Sequence, residues 1–185
     1  MLVLAACVLA VLSPLLVGRW PAGLALQRWR WPVLIWIALG AQILIIEFGL
    51  PNDLAPVAHV ATYAIALTFL WLNRRAAGAL VVGAGAFTNG LTIALNGGVL
   101  PASRAATEAA GIDPDHAFEN TAVMDDAVLP WLGDVFAWPD PLPLSNTFSV
   151  GDVLIVAGVA IAAWSGTRRL GAPAREPESA TDAAA

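Results

Sequence analysis

The chain has no lysine, one cysteine, one tyrosine and two histidines among its 185 residues. Charged residues make up 12%, against roughly a quarter in soluble averages. The lone Cys7 excludes an internal disulfide, and no Cys/His spacing has the form of a zinc site. Leu4-Ala5-Ala6-Cys7 spells a lipoprotein-type cleavage box, but no basic region or apolar core precedes it, so Cys7 reads as a buried small residue. G-x-S-x-G, H-E-x-x-H, a phosphate-binding glycine loop and a dinucleotide fingerprint are all missing, and the familiar soluble enzyme classes lose support.

What is present is apolar: 58% of the residues are hydrophobic. Apolar stretches run over residues 2–17, 32–50, 55–72, 76–96 and 150–164, and only Glu47 and Asp152 intrude, near ends. About 20 apolar residues cross a hydrocarbon core of roughly 30 Å. The expectation is therefore an all-α membrane protein of about five transmembrane helices. Arg19, Arg28 and Arg30 follow the first stretch, Arg74 and Arg75 the third, and Arg168, Arg169 and Arg175 the fifth. Arginine-rich short loops stay in the cytoplasm, which places the N-terminus outside and the C-terminus inside. Trp20, Trp29 and Trp31, interleaved with arginines, read as an interfacial linker.

One membrane domain is expected over residues 1–170, with an outer loop at 97–148 and a disordered cytoplasmic tail at 171–185. The loop is acidic, with Glu108, Asp113, Asp115, Glu119, Asp125, Asp126, Asp134 and Asp140 against Arg104 alone. Residues 102–110 have helix-forming composition, with Ser103 placed to cap the start and Gly111 the end. A second short helix is expected after Asp113, with Pro114 at its first position. Residues 128–138 read as an apolar lid, and Pro139, Pro141 and Pro143 as an extended return.

Helices of opposite direction bring Glu47, His59, Tyr63, Asn96 and Asp152 to one depth, within about two turns at 1.5 Å per residue. Asn89, Thr92 and Asn96 share one face of the fourth helix, pointing into the bundle, whereas residues 76–87 carry no polar side chain. This predicts a polar pocket open at one end rather than a pore, with Asn89, Asn96, His59, Tyr63, Asp134 and Asp152 as candidate binding residues. A second reading stays open. Ser149 and Asp152 form an S-x-x-D helix start, and Asn96-Gly97-Gly98 suits a helix end. Asp113, Asp115 and His116 read as a capped helix start in a solvated loop, with a cation site as the alternative. Gly78, Gly83, Gly85 and Gly90 predict close helix approach.

Four separated pieces carry a resemblance: Asn96-Gly97-Gly98-Val99-Leu100-Pro101, Ala109-Ala110-Gly111, Trp131-Leu132-Gly133-Asp134 and Phe148-Ser149-Val150-Gly151-Asp152. With His59, Tyr63 and Asn73, they resemble a bacterial membrane family catalogued as domain-of-unknown-function family 5317, over about residues 31–169. Leu100 stands where the family pattern usually reads methionine. The resemblance implies a multi-span fold in the bacterial cell membrane and supplies no mechanism.

Three functions compete. The first is a non-enzymatic envelope protein whose acidic outer loop docks a protein partner. The second is a small transporter or accessory subunit that binds a cation or polar solute in the pocket. The third is an outer-leaflet enzyme using Asp134 and Asp152 as an acid and base pair. The expected partners are the lipid bilayer and a protein at the outer face, not nucleic acid. No catalytic residue, metal site or cofactor is assigned.

Overall fold

The computed structural model describes residues 1–48, 54–114 and 121–170. The Glu47 side chain, Asp115, His116, Glu119 and the tail from residue 171 lie outside the described residues, and with them the expected helix after Asp113 and the cation reading there.

In chain order the elements are α1 (Leu2–Leu12), β1 (Arg19–Trp20), α2 (Ala22–Ala25), α3 (Val33–Phe48), α4 (Ala55–Leu72), α5 (Ala79–Leu95), β2 (Leu100–Ala102), α6 (Arg104–Ala109), β3 (Thr121–Val123), β4 (Asp134–Trp138), β5 (Asn146–Ser149), α7 (Val150–Trp164) and β6 (Arg168–Arg169). Two 3₁₀ turns, Ser13–Val17 and Pro130–Leu132, complete the set. The five longer helices fall on the five apolar stretches.

The structure nevertheless overturns the five-span all-α membrane fold, with its inside and outside ends, and the bacterial cell membrane location drawn from it. Among the described residues no helix is long and apolar enough to cross a membrane, and two β-sheets are present. Length is the main reason. At 1.5 Å per residue, α1 covers ~16 Å and α7 ~22 Å of a hydrocarbon core that is roughly 30 Å thick. The first apolar stretch breaks at Leu12 into the 3₁₀ turn, where Pro14 enters. Among the described residues the 18-residue α4 is the longest helix, and Pro56, His59, Thr62, Tyr63 and Thr68 dilute its apolar character.

The helices pack in the order α3, α4, α5, α7, α1. Glycine sets the closest crossing. A Cβ on Gly78 would fall on the Gly158 carbonyl, one on Gly85 on the Gly151 carbonyl, and one on Gly151 on Asn89 Oδ1. The α5 and α7 backbones therefore approach closely where Gly78 faces Gly158 and Gly85 faces Gly151, as small residues permit. Gly90 does the same for the Tyr63 ring on α4, whereas Gly83 has only Leu70 Cβ within 4 Å, at 3.9 Å. Large side chains on the outer faces stay uncovered, Trp36 at 69%, Val57 at 67% and Trp71 at 64% exposure.

At one end of the bundle β1 and β6 form a short antiparallel ribbon, and the Arg19 side chain donates to Thr167 Oγ1 at 2.9 Å. Beside it Asn73, buried at the end of α4, accepts from the Arg30 amide at 2.8 Å and donates to the Arg30 carbonyl at 3.0 Å. Trp29 packs on Phe69 with ring centroids 5.7 Å apart. Trp29 and the Arg30 backbone are thereby tied to the end of α4, while the Trp31 side chain stays 65% exposed.

At the other end, residues expected to form only a partly helical loop build a four-stranded sheet in the order β3-β2-β4-β5. β2 runs parallel to both β3 and β4, while β4 and β5 are antiparallel. The expected lid at 128–138 supplies β4, whose Phe136 stacks on Phe148 of β5 at 5.4 Å. Asn96 ends α5, and Gly97 and Gly98 follow at φ +68° and +93°, the left-handed region that glycine tolerates. α6 lies where the composition placed it. Ser103 sits at its N-cap without a side-chain cap bond, and Gly111 (φ +71°) closes it as the Ile112 amide donates to the Thr107 carbonyl at 3.1 Å.

Candidate functional site

The sheet sits over the end of the bundle where α5 finishes and α7 begins, because β2 leaves α5 through the glycine turn and β5 runs straight into α7. Ser149 is both the last residue of β5 and the N-cap of α7. Its hydroxyl accepts from the Asp152 amide at 3.0 Å, and its own amide donates to Asp152 Oδ2 at 2.9 Å, a reciprocal capping box. Two further bonds close the ring. Ser149 Oγ donates to Asn89 Oδ1 at 2.9 Å, and Asn89 Nδ2 donates to Asp152 Oδ1 at 2.9 Å. Ser149 and Asn89 are buried, and each polar atom named in this ring has a partner, the condition under which a buried polar network stabilises.

Asp134 arrives from the sheet. It opens β4 opposite Ser149 of β5 and beside Ala102 of β2, and its carbonyl accepts from the Ser103 amide at 2.9 Å. Gly133 lets β4 pass β2, since a Cβ there would fall on the Pro101 carbonyl. The Asp134 side chain is 6% exposed and poorly served. Oδ2 takes bonds from Thr147 Oγ1 at 3.2 Å and Thr121 Oγ1 at 3.5 Å, both long for hydroxyl donors. Oδ1 is buried with no hydrogen-bond partner among the described residues. Burial first, and the Asp152 carboxylate second, push the Asp134 carboxyl up to about 7, against the lowering effect of the two threonine hydroxyls.

Between sheet and helices lies a cavity of about 210 Å³, below the roughly 300–1,000 Å³ of drug-sized ligand sites. Asp134, Asp152, Asn89 and Tyr63 line it together with Thr121 and Thr147. Leu100, Ile112 and Val123 add apolar wall. No arginine or histidine is among the described residues that line it. The Tyr63 phenol is pushed up to about 12, by burial first and then by Asp152 and Asp134, so it stays a neutral donor and acceptor.

Of the six candidate residues, the structure thus gathers Tyr63, Asn89, Asp134 and Asp152 around one cavity. Asn96 and His59 lie elsewhere. The Asn96 carboxamide donates to the Thr92 carbonyl at 2.8 Å and the Val128 carbonyl at 2.9 Å, and accepts from the Val128 amide at 2.7 Å. It pins the segment that leads to β4. His59 faces α3, its Nδ1 3.2 Å from Gln42 Nε2, and burial lowers its basicity. Thr121 and Thr147 join the site without having been candidates. Their only sequence signal is β-branching in short runs, Thr121-Ala122-Val123 and Asn146-Thr147-Phe148. Among the described residues no group of three or more His, Cys, Asp or Glu side chains is placed to hold a metal ion.

No solved structure matches the chain. An uncharacterised protein of Thermotoga maritima is 34% identical over 110 residues, which are 58% of this chain. The matched stretch spans 61% of that relative's length. Residues 27–164 match the model of the Family of unknown function (DUF5317), a stretch that contains all four gathered cavity residues. That match extends over most of the chain, from before α3 to the end of α7, and the protein therefore belongs to the DUF5317 family.

Proposed function

We propose that this protein binds a small cationic or polar solute in the cavity between the sheet and the α4, α5 and α7 ends. One observation carries the reading: Asp134 Oδ1 is buried, unpartnered among the described residues, and set in a cavity that Asp152 also lines. A buried acceptor left unmade costs roughly 1–3 kcal/mol, and more for a charged group. A donor that enters the cavity recovers that cost. Arginine and histidine are absent from the described lining, so no basic side chain among the described residues stands there opposite the two carboxyl groups. A positively charged or multiply hydrogen-bond-donating guest supplies it.

The site supports binding better than catalysis. Both Asp152 oxygens already accept N–H bonds that cap α7 and hold Asn89, so Asp152 is committed to structure as well as to the cavity. The test is calorimetric titration of the purified full chain with small amines, sodium and calcium salts and short polyols. Saturable heat from at least one guest, reduced at least tenfold in affinity by Thr121→Val with Thr147→Val, is the expected result. No heat from any of them would overturn the reading.

A further inference from the structure

The cavity lining has two chemistries. Asp134, Asp152, the Asn89 amide and the Tyr63 phenol are polar, while Leu100, Ile112 and Val123 are aliphatic. Among the described residues no group of three or more His, Cys, Asp or Glu side chains is placed to hold a metal ion. Asn89 Oδ1 already accepts from Ser149, and both threonine hydroxyls donate to Asp134, whose Oδ1 is buried with no partner among the described residues. Asp152 and the Tyr63 phenol line the same cavity and add acceptors. Such a set suits a group with several N–H donors, and the aliphatic lining suits a short hydrocarbon stem. A primary ammonium has both.

Electroneutrality adds a second constraint. Two carboxylates that share a small buried space repel each other unless one is protonated or a cation lies between them. Facing Asp134 are Asp152 from α7 and Tyr63 from α4. β2, β3 and β5 bring no titratable side chain, α5 brings Asn89, and α6 carries Arg104 and Glu108 exposed. Asp113, in the loop after α6, is also exposed, Cys7 of α1 feels Asp152, and Met1 ahead of α1, which carries the amine of the chain, lines the cavity and is 83% exposed.

Resting on the solute-binding reading, we infer that the ligand is a short primary alkylammonium ion, admitted to the cavity in exchange for a proton held by Asp134. The exchange balances. The Asp134 carboxyl loses its O–H proton to solvent, and the ammonium takes its place as a carboxylate–ammonium pair whose N–H groups donate to Oδ1 and Asp152. No covalent bond to the guest forms or breaks. The proton-holding range of Asp134, reaching to about pH 7, makes the exchange visible near neutrality. A primary amine stays cationic throughout, since lysine titrates near ~10.4.

Calorimetry of the full chain with n-propylammonium chloride, at pH 5 to 8.5 in two buffers of different ionisation enthalpy, tests this. Affinity is expected to rise roughly tenfold per pH unit below ~7 and to level off above it, with about one proton released at pH 5.5 and about none at pH 8.5. Thr147→Val, which removes a donor to Asp134 without changing side-chain volume, shifts the break to higher pH. n-Propanol and tetramethylammonium, lacking charge or N–H donors, bind at least tenfold more weakly. A pH-independent affinity, or n-propanol binding equal to the amine, overturns the exchange and leaves solute binding intact. Binding of sodium or calcium without any amine binding overturns the ligand class. Silence from every guest overturns the parent reading too.

Discussion

Asp134 and Ser149 face each other across the β4–β5 pair, so the carboxyl that lacks a partner and the hydroxyl that caps α7 are fixed by one strand register. Ser149→Ala therefore removes more than a cap. It deletes the acceptor of the Asp152 amide and the donor to Asn89 Oδ1, which is buried and would be left unpaired. A lost cap costs roughly 1 kcal/mol and an orphaned buried acceptor roughly 1–3. The expected destabilisation is about 2–4 kcal/mol, read as a lowered denaturant midpoint. A change under about 0.5 kcal/mol would show that the ring is ornamental.

Asp134 makes stability depend on pH. Its folded value of about 7 lies above the ordinary 3.8, so the folded chain binds more protons than the unfolded chain between those limits. Its favourable share of stability is complete below ~3.8 and is lost as pH rises through ~7. Asp134→Asn should leave stability near pH 4 little changed and raise it above pH 7, by up to about 4 kcal/mol. Melting temperature against pH for both chains is the measurement, and parallel curves would contradict the assignment.

Glycine substitutions separate fit from flexibility. A Cβ at Gly151 lands on Asn89 Oδ1 and near the Gly85 carbonyl, so Gly151→Ala must push α5 and α7 apart. The expected loss is at least about 2 kcal/mol. Gly40, inside α3, has nothing within 4 Å of an added Cβ, and Gly40→Ala should stabilise by roughly 0.5–1 kcal/mol. Paired thermal melts decide. Equal effects at the two positions would mean that the α5–α7 crossing is looser than the geometry states.

Asn96→Ala should uncouple the segment before β4 from α5. The Val128 amide loses its acceptor, and its hydrogen exchange is expected to accelerate at least tenfold relative to amides within α5. Because Asn96 does not line the cavity, solute affinity should change less than with the threonine variants. A selective loss of affinity with unaltered Val128 exchange would make Asn96 a binding residue rather than a tether.

The helices are legible because apolar runs bounded by Arg, Gly and Pro mark long local elements, and residues 55–72 and 150–164 coincide with α4 and α7. Membrane spans do not follow from that apolarity alone, because proline and polar interruptions shorten α1 and dilute α4. The sheet is hidden for another reason. Its strands are 3–5 residues long, β2 contains Pro101, and β2 pairs in parallel with segments about 20 and 32 positions away, a relation that no local pattern records. Antiparallel helix direction brings Tyr63 and Asp152 to one level and the shared face of α5 adds Asn89, but the arrival of Asp134 depends on strand register. His59 and Asn96 share that level and spend their polar groups on Gln42 and Val128 instead.

The passage from β5 into α7 has no intervening residue, since Ser149 ends the one and Val150 begins the other. Such a joint has no slack. A tilt of the sheet on filling or emptying the cavity is therefore expected to carry α7 with it, up to the far end where Trp164 donates to Ser13 at 2.8 Å. Occupancy at one end of the molecule would then be readable at the other, as a change in the fluorescence of Trp164.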